Sequence, residues 1–299
     1  MNQWSAERWG VIFAVVAAFG FSFKAIFVKL AYAEAPVEPV VLLSLRMLFS
    51  VPAFAWVLYS SGRSDPPLTR RDWAMLGALG LLGYYGASIL DFLGLQYISA
   101  GLERLILFTY PTLTLLIGVC FMGKTLERRE LWSLLLSYAG IGLAFAHDLT
   151  IAGDMQLVLV GAAFVFGSSL SYAFYQAGSE PAIRRFGPAR FTALATLVSV
   201  GATQVHCFAT QPLTAYVQPM PILLYGLGLA AFSTVLPVFM QSASIQRIGA
   251  PRTALIGTLG PVLTIFFSWL ILDEPVSVAQ IVGTVLVVGG VLLVSRSRR

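Results

Sequence analysis

The sequence predicts an all-α integral membrane protein of ten transmembrane helices, arranged as two inverted five-helix repeats. Three observations carry this expectation. Apolar runs of about 17 residues or more, enough to cross a ~30 Å hydrocarbon core, recur ten times along the chain. Lysine and arginine fall in every second connector. The chain also matches itself, without gaps, at an offset of 150 residues. Composition sets the class: 58% of the 299 residues are hydrophobic and 11% charged, where a soluble domain carries about 25% charged residues.

The first run covers residues 9–32 and holds Lys24 and Lys29. It is longer than the apolar core of a secretory signal and precedes no small-residue cleavage site, so it reads as a retained helix. The second, 39–60, carries Arg46. The third, 73–95, places Gly77, Gly80, Gly83 and Gly86 at every third position, followed by Asp91. Such glycines let helices approach closely. Tyr84 and Tyr85 lie between them. The fourth, 98–122, opens "AGLERLILFTYP", which brings Glu103, Arg104, Tyr110 and Pro111 into one segment. The fifth is 130–147, the sixth 156–178 with Tyr172 and Tyr175, the seventh 188–209 and the eighth 218–243. The ninth, 250–272, contains Gly257, Gly260 and Pro261, and the tenth is 276–295. The runs are continuous and not alternating, which argues against a β-barrel. The connectors are too short to fold as a soluble domain.

The net charge of +5 is topogenic and does not point to nucleic acid. Alternate connectors carry Arg63, Arg70 and Arg71; Lys124, Arg128 and Arg129; Arg184, Arg185 and Arg190; and Arg247 and Arg252. The tails add Arg8, Arg296, Arg298 and Arg299. The intervening connectors hold acids but no lysine or arginine. Basic residues stay on the cytoplasmic side, so both termini are expected in the cytoplasm of a cell whose inner membrane the chain spans. Cys120 and Cys207 lie in apolar runs, and neither a disulfide framework nor a cysteine metal site is expected. His147 and His206 sit at helix ends as packing or interfacial residues, and Trp4, Trp9, Trp73 and Trp132 suit an interfacial belt.

At the 150-residue offset, Gln96, Ile98, Ala100 and Pro111 meet Gln246, Ile248, Ala250 and Pro261, and Gly140 meets Gly290. Residues 1–150 and 151–299 therefore read as two five-helix halves. An odd number of crossings forces the second copy to insert upside down, the architecture of secondary transporters, with substrate near the midplane. Pro111 and Pro261 fall mid-span, where proline kinks a helix. With Gly257 and Gly260 they are candidate bending points.

The segments "AGLERLILFTYPTLTLLIGVCFMGKTL" and "GAPRTALIGTLGPVLTIFFSWLILDEPVSVAQIVGTVLVVGGVLLV" resemble the EamA-type drug/metabolite transporter superfamily. The second, with Pro261, the Asp273-Glu274-Pro275 turn and Gly283, is the more specific. In the first half Gly123-Lys124-Thr125 replaces that acidic turn. Within the superfamily the chain is most similar to YddG-type exporters of aromatic and other amino acids. The resemblance implies ten helices, a small-molecule substrate and export by alternating access.

Six ionisable residues lie inside the spans, all in the first half: Lys24, Lys29, Arg46, Asp91, Glu103 and Arg104. At 1.5 Å per residue, Lys29, Asp91, Glu103 and Arg104 fall about 10 Å from the midplane towards the outside, and Lys24 and Arg46 about 5 Å. Glu103 and Arg104 are expected to tie the fourth helix to the first and third. Lys24 and Arg46 are left as the deepest cations with no acid at their level, suited to a substrate carboxylate, Lys24 foremost. Tyr84, Tyr85, Tyr110, Tyr172 and Tyr175 would supply the apolar wall of that pocket. A proton-coupled multidrug exporter of cationic compounds is the alternative, and would need a carboxylate reachable from both sides. No Walker A loop, H-E-x-x-H motif or paired histidines occur, so neither an enzyme nor a cofactor is implied. The partners are a small-molecule substrate and the lipid bilayer. No ATPase subunit is implied and no oligomer is specified.

Overall fold

The structure, a computed structural model, describes residues 3–60, 68–122, 128–152 and 154–296. Arg63, Lys124, Arg298, Arg299 and the Gly123-Lys124-Thr125 turn lie outside the described residues. Among the described residues all regular structure is helical. Ten helical rods follow one another. The first is Gln3–Glu34, the second Pro39–Ser60 and the third Arg70–Gly94. The fourth runs as Ala100–Leu107 and Tyr110–Met122, and the fifth is Arg128–Ala152. The sixth is Met155–Phe186, the seventh Pro188–Thr210 and the eighth Met220–Ile248. The ninth runs as Ala250–Gly257 and Leu259–Leu272, and the tenth is Val278–Arg296. Eight are long and apolar enough to cross a membrane on those criteria. The fifth, and the tenth with its apolar stretch Val278–Leu293, complete the set.

Local chemistry explains where the rods start and break. Thr69 caps the third helix: its hydroxyl accepts from the Asp72 N–H at 3.2 Å, while Asp72 Oδ2 accepts from the Thr69 N–H at 2.8 Å. This reciprocal capping box satisfies donors that a helix start leaves free. Ser99 and Asp154 cap the fourth and sixth helices one way, their side chains accepting the N–H of Leu102 and those of Gln156 and Leu157. Gly187 and Gly249, at φ 75° and 81°, form the tight links between the sixth and seventh and between the eighth and ninth. The fourth and ninth helices break at Leu107 and Gly257. Each is the residue four before a proline, Pro111 or Pro261, whose ring excludes that carbonyl and which brings no N–H to it. The Leu107 carbonyl freed in this way accepts the Ser169 hydroxyl of the sixth helix at 3.2 Å.

Two segments depart from the α-helix inside their rods: Leu81–Gly86 in the third and Ala231–Val235 in the eighth are π-helical. They occupy equivalent places at the repeat offset, and apolar periodicity does not betray them. The packing obeys the same symmetry. The first helix packs on the eighth and ninth, and its counterpart, the sixth, packs on the third and fourth. The second packs on the seventh and the fifth on the tenth, each helix against its own repeat mate. Two inverted five-helix repeats produce this exchange of partners.

Candidate substrate site

The first helix brings Lys24 against the third and fourth helices. Its ammonium contacts Asp91 Oδ2 of the third helix at 2.7 Å and Glu103 Oε1 of the fourth at 2.9 Å. Asp91 and Glu103 are 2% and 0% exposed. The expectation that Lys24 lacks an acid at its level is therefore corrected. Helix rise places a Cα, whereas the lysine stem carries its charge several ångströms away from it. Both acids are buried within the protein, as are Leu95 and Ile98 of the connector after the third helix, while Gln96 is exposed. Breaking such a buried pair costs ~3–5 kcal/mol, since it strands an uncompensated charge.

The two arginines complete the cluster from either side. Arg46 of the second helix, 8% exposed, donates from Nε to Thr234 Oγ1 at 2.9 Å and lies over the Phe92 ring at 5.6 Å. Thr234 belongs to the π-helical turn of the eighth helix. Arg104 lies over the Phe108 ring at 5.3 Å. Its guanidinium also rests on Gly260, where a Cβ would come within 2.7 Å of Nη2. Arg104 thus meets the ninth helix beside Pro261 and not the third, as its sequence position had suggested. Ser22 strengthens this junction, with its hydroxyl 2.7 Å from the Ala18 carbonyl and 3.1 Å from that of Gly260. Among the described residues, the buried Arg46 Nη1 and Arg104 Nε have no hydrogen-bond partner.

Four of the five tyrosines form one stack. Tyr84 meets Tyr175 at 5.3 Å between ring centroids, Tyr175 meets Tyr172 at 5.4 Å, and Tyr172 meets Tyr110 at 5.0 Å. The Tyr175 hydroxyl donates to that of Tyr84 at 3.2 Å. Gly83 makes room for this, since a Cβ there would enter the Tyr175 ring. Phe108 joins Tyr110 at 6.4 Å and carries the stack to Arg104. Tyr85 is the exception. It turns to the seventh helix, its hydroxyl 3.0 Å from His206 Nδ1. Neighbouring side chains on a helix diverge around its axis, so Tyr84 and Tyr85 cannot serve one wall.

One end of the bundle is latched by residues that sequence reasoning left at the margin. Lys29 pairs with Glu274 at 3.4 Å and takes no part in the Lys24 cluster. Glu274 also accepts the Ala100 N–H at 3.1 and 3.2 Å, while Asp148 accepts the Ser99 N–H at 2.8 Å and its hydroxyl at 2.7 Å. Both carboxylates therefore sit on the positive N-terminus of the fourth helix. His147 Nε2 lies 2.9 Å from the Pro275 carbonyl. The acidic turn at Asp273-Glu274-Pro275 was the available signal for this latch. An open concavity beside it is lined by Lys29, Tyr32, Pro36, Val37, Leu95 and Gln96. On the opposite face Arg185 pairs with Asp72 at 2.7 Å and Arg252 with Glu7 at 2.5 Å.

The charge cluster and the aromatic stack both draw on helices of the two repeats, and secondary transporters built from inverted repeats hold substrate at the repeat interface. The comparisons agree with the class. Residues 8–146 and 159–296 match the EamA-like transporter family. The chain is 31% identical over 296 residues to the Bacillus subtilis "Uncharacterized transporter YcbK", covering 95% of this chain and 91% of that one. An uncharacterized transporter of Synechocystis is 24% identical over 310 residues, with 96% and 93% covered. A solved crystal structure shares the fold at a TM-score of 0.66 and 17% identity, covering 95% of each chain. The chain is a multi-pass membrane protein and belongs to the EamA-like transporter family.

Proposed function

We propose that the protein is a secondary exporter of small amphipathic metabolites, amino acids and aromatic ones foremost, working by alternating access. One observation carries this reading: the stack of Tyr84, Tyr175, Tyr172 and Tyr110 runs through Phe108 into the Arg104 end of a buried charge cluster. A substrate with a charged head and an apolar side chain meets both surfaces at once. Mostly apolar walls discriminate weakly, one methylene being worth ~1–3 kcal/mol, so several amino acids should share the site. The breaks before Pro111 and Pro261 would bend one gate each, and the outer latch through Glu274 would open to release substrate. Both termini lie in the cytoplasm on this reading, and the cell's inner membrane is the one crossed.

The proton-coupled multidrug alternative draws support from Asp91 and Glu103 sharing one ammonium. The cluster nevertheless combines Lys24, Arg46 and Arg104 with two acids, an excess of positive charge that disfavours a cationic drug. Uptake and counterflow by purified protein in liposomes, against a panel of amino acids with and without a pH gradient, tests the two. Counterflow of phenylalanine and leucine without a gradient is expected. Transport of lipophilic cations alone, driven by a pH gradient, would replace this reading with the alternative.

A further inference from the structure

We propose that Arg104 is the carboxylate anchor of the substrate site, and that the class it selects is an amphipathic monocarboxylate, with or without an α-amino group. Lys24 is then a fixed counter-ion and not the anchor. The inference deepens the exporter reading above and rests on it.

The intramembrane cations divide by what already holds them. Lys24 spends its charge on Asp91 Oδ2 and Glu103 Oε1, Lys29 pairs with Glu274, and Arg46 donates to Thr234. Arg104 differs. Among the described residues it makes no ion pair and no hydrogen bond, and its Nε is buried without an acceptor. Glu103, next to it in the chain, does not serve. Adjacent side chains point about 100° apart around a helix, and Lys24 has already engaged that carboxylate. A guanidinium kept inside a membrane protein without an anion is costly and marks a functional group. Its Nε and a terminal nitrogen present parallel N–H groups to the oxygens of a carboxylate.

The surroundings seat this guanidinium and leave it an approach. It lies 5.3 Å over the Phe108 ring, and Gly260 of the ninth helix makes room for it, since a Cβ there would come within 2.7 Å of Nη2. Three residues earlier, a Cβ on Gly257 would meet nothing within 4 Å, so the ninth helix leaves space at its break. Arg104 itself is only partly buried. Phe108 in turn meets Tyr110 at 6.4 Å, and Tyr110 meets Tyr172 at 5.0 Å. A carboxylate on Arg104 therefore carries its apolar substituent onto an aromatic wall. Lys24, Arg46 and Arg104 also outnumber the acids of the cluster, and a bound carboxylate offsets that excess. No equivalent provision exists for an ammonium, because Asp91 and Glu103 both lie on Lys24. The site reads the carboxylate and the apolar group, and an amine is tolerated beside them.

The test uses the full-length protein in liposomes and counterflow of radiolabelled L-phenylalanine. Unlabelled 3-phenylpropionate, which lacks the ammonium, should compete within about threefold of phenylalanine. Phenethylamine, which lacks the carboxylate, should compete at least about tenfold more weakly, the ratio that loss of one charged hydrogen bond produces. Arg104→Gln should abolish the advantage of phenylalanine over phenethylamine. Arg104→Lys keeps the charge but not the fork and should raise KM with kcat little changed. Gly260→Ala keeps the cation but pushes the guanidinium aside, so it should narrow the same advantage. Should Arg104→Gln fail to fold, Gly260→Ala and the competition series on the unaltered protein decide. A smaller margin for phenethylamine, or a folded Arg104→Gln protein with the margin intact, overturns the anchor and leaves the exporter reading standing. A guanidinium satisfied by water alone would give that result. Weaker competition by 3-phenylpropionate than the stated range overturns the class, since the ammonium is then recognised too. Counterflow of neither phenylalanine nor any other carboxylate overturns both readings.

Discussion

At the scale of single residues, the Lys24 cluster separates stability from transport. Lys24→Met strands two buried carboxylates, so it should lower the melting temperature in detergent more than Glu103→Gln, which leaves the Lys24–Asp91 contact intact. Adding Glu103→Gln to Lys24→Met should recover part of the loss, because one of the two stranded acids becomes neutral. Equal melting temperatures for Lys24→Met and the unaltered protein would show that the ammonium holds nothing together. The tyrosines divide in another way. Tyr175 touches both Tyr84 and Tyr172, so Tyr175→Ala opens the middle of the stack and should reorder preferences among amino-acid side chains. Tyr85→Phe removes only the contact to His206 and should leave that order unchanged. Competition series on the two variants check this directly. The difference between the two tyrosines was not legible from their adjacent positions, since it depends on which neighbouring helix each one faces.

At the scale of elements, the ten apolar runs and both proline positions could be read from the chain, because hydrophobic length and a missing N–H act locally. The π-helical turns at Leu81–Gly86 and Ala231–Val235 could not. They depend on which carbonyl each N–H selects, and Leu-Leu-Gly-Tyr-Tyr-Gly is as compatible with an α-turn as with a π-turn. The partners of Lys24 were missed for a related reason: rise per residue locates the backbone, while Lys24 reaches Asp91 and Glu103 through the length of its side chain. The proline breaks yield a prediction at this scale. Pro111→Ala or Pro261→Ala restores a backbone donor, and the carbonyl of Leu107 or Gly257 can then continue its helix. Each variant should bias the protein towards one facing state. The readout is the labelling rate of a single cysteine by a membrane-impermeant reagent. Identical rates in the unaltered protein and both variants would make the breaks static features of the bundle.

At the scale of the whole molecule, the inverted repeat makes a demand that no local feature can imitate. Five crossings carry the chain from one side of the membrane to the other, so the second half must begin where the first began but on the opposite face. Equivalent residues then pack on exchanged partners, as the first helix does on the eighth and the sixth on the third. On the positive-inside distribution, Arg184 and Arg247 are expected on the cytoplasmic side, and Pro36 and Leu213, in base-free connectors, on the outside. All four are exposed, so a cysteine at each should react without disturbing the packing. With Cys120 and Cys207 replaced by serine, Pro36→Cys and Leu213→Cys should label in intact cells with an impermeant maleimide. Arg184→Cys and Arg247→Cys should label only after permeabilisation. Position 36 belongs to the first repeat and position 213 to the second, so their shared accessibility tests the inversion as well as the count of helices. Labelling of 36 and 213 from opposite sides would require an odd number of crossings between them, and the five-plus-five arrangement would fall with that result.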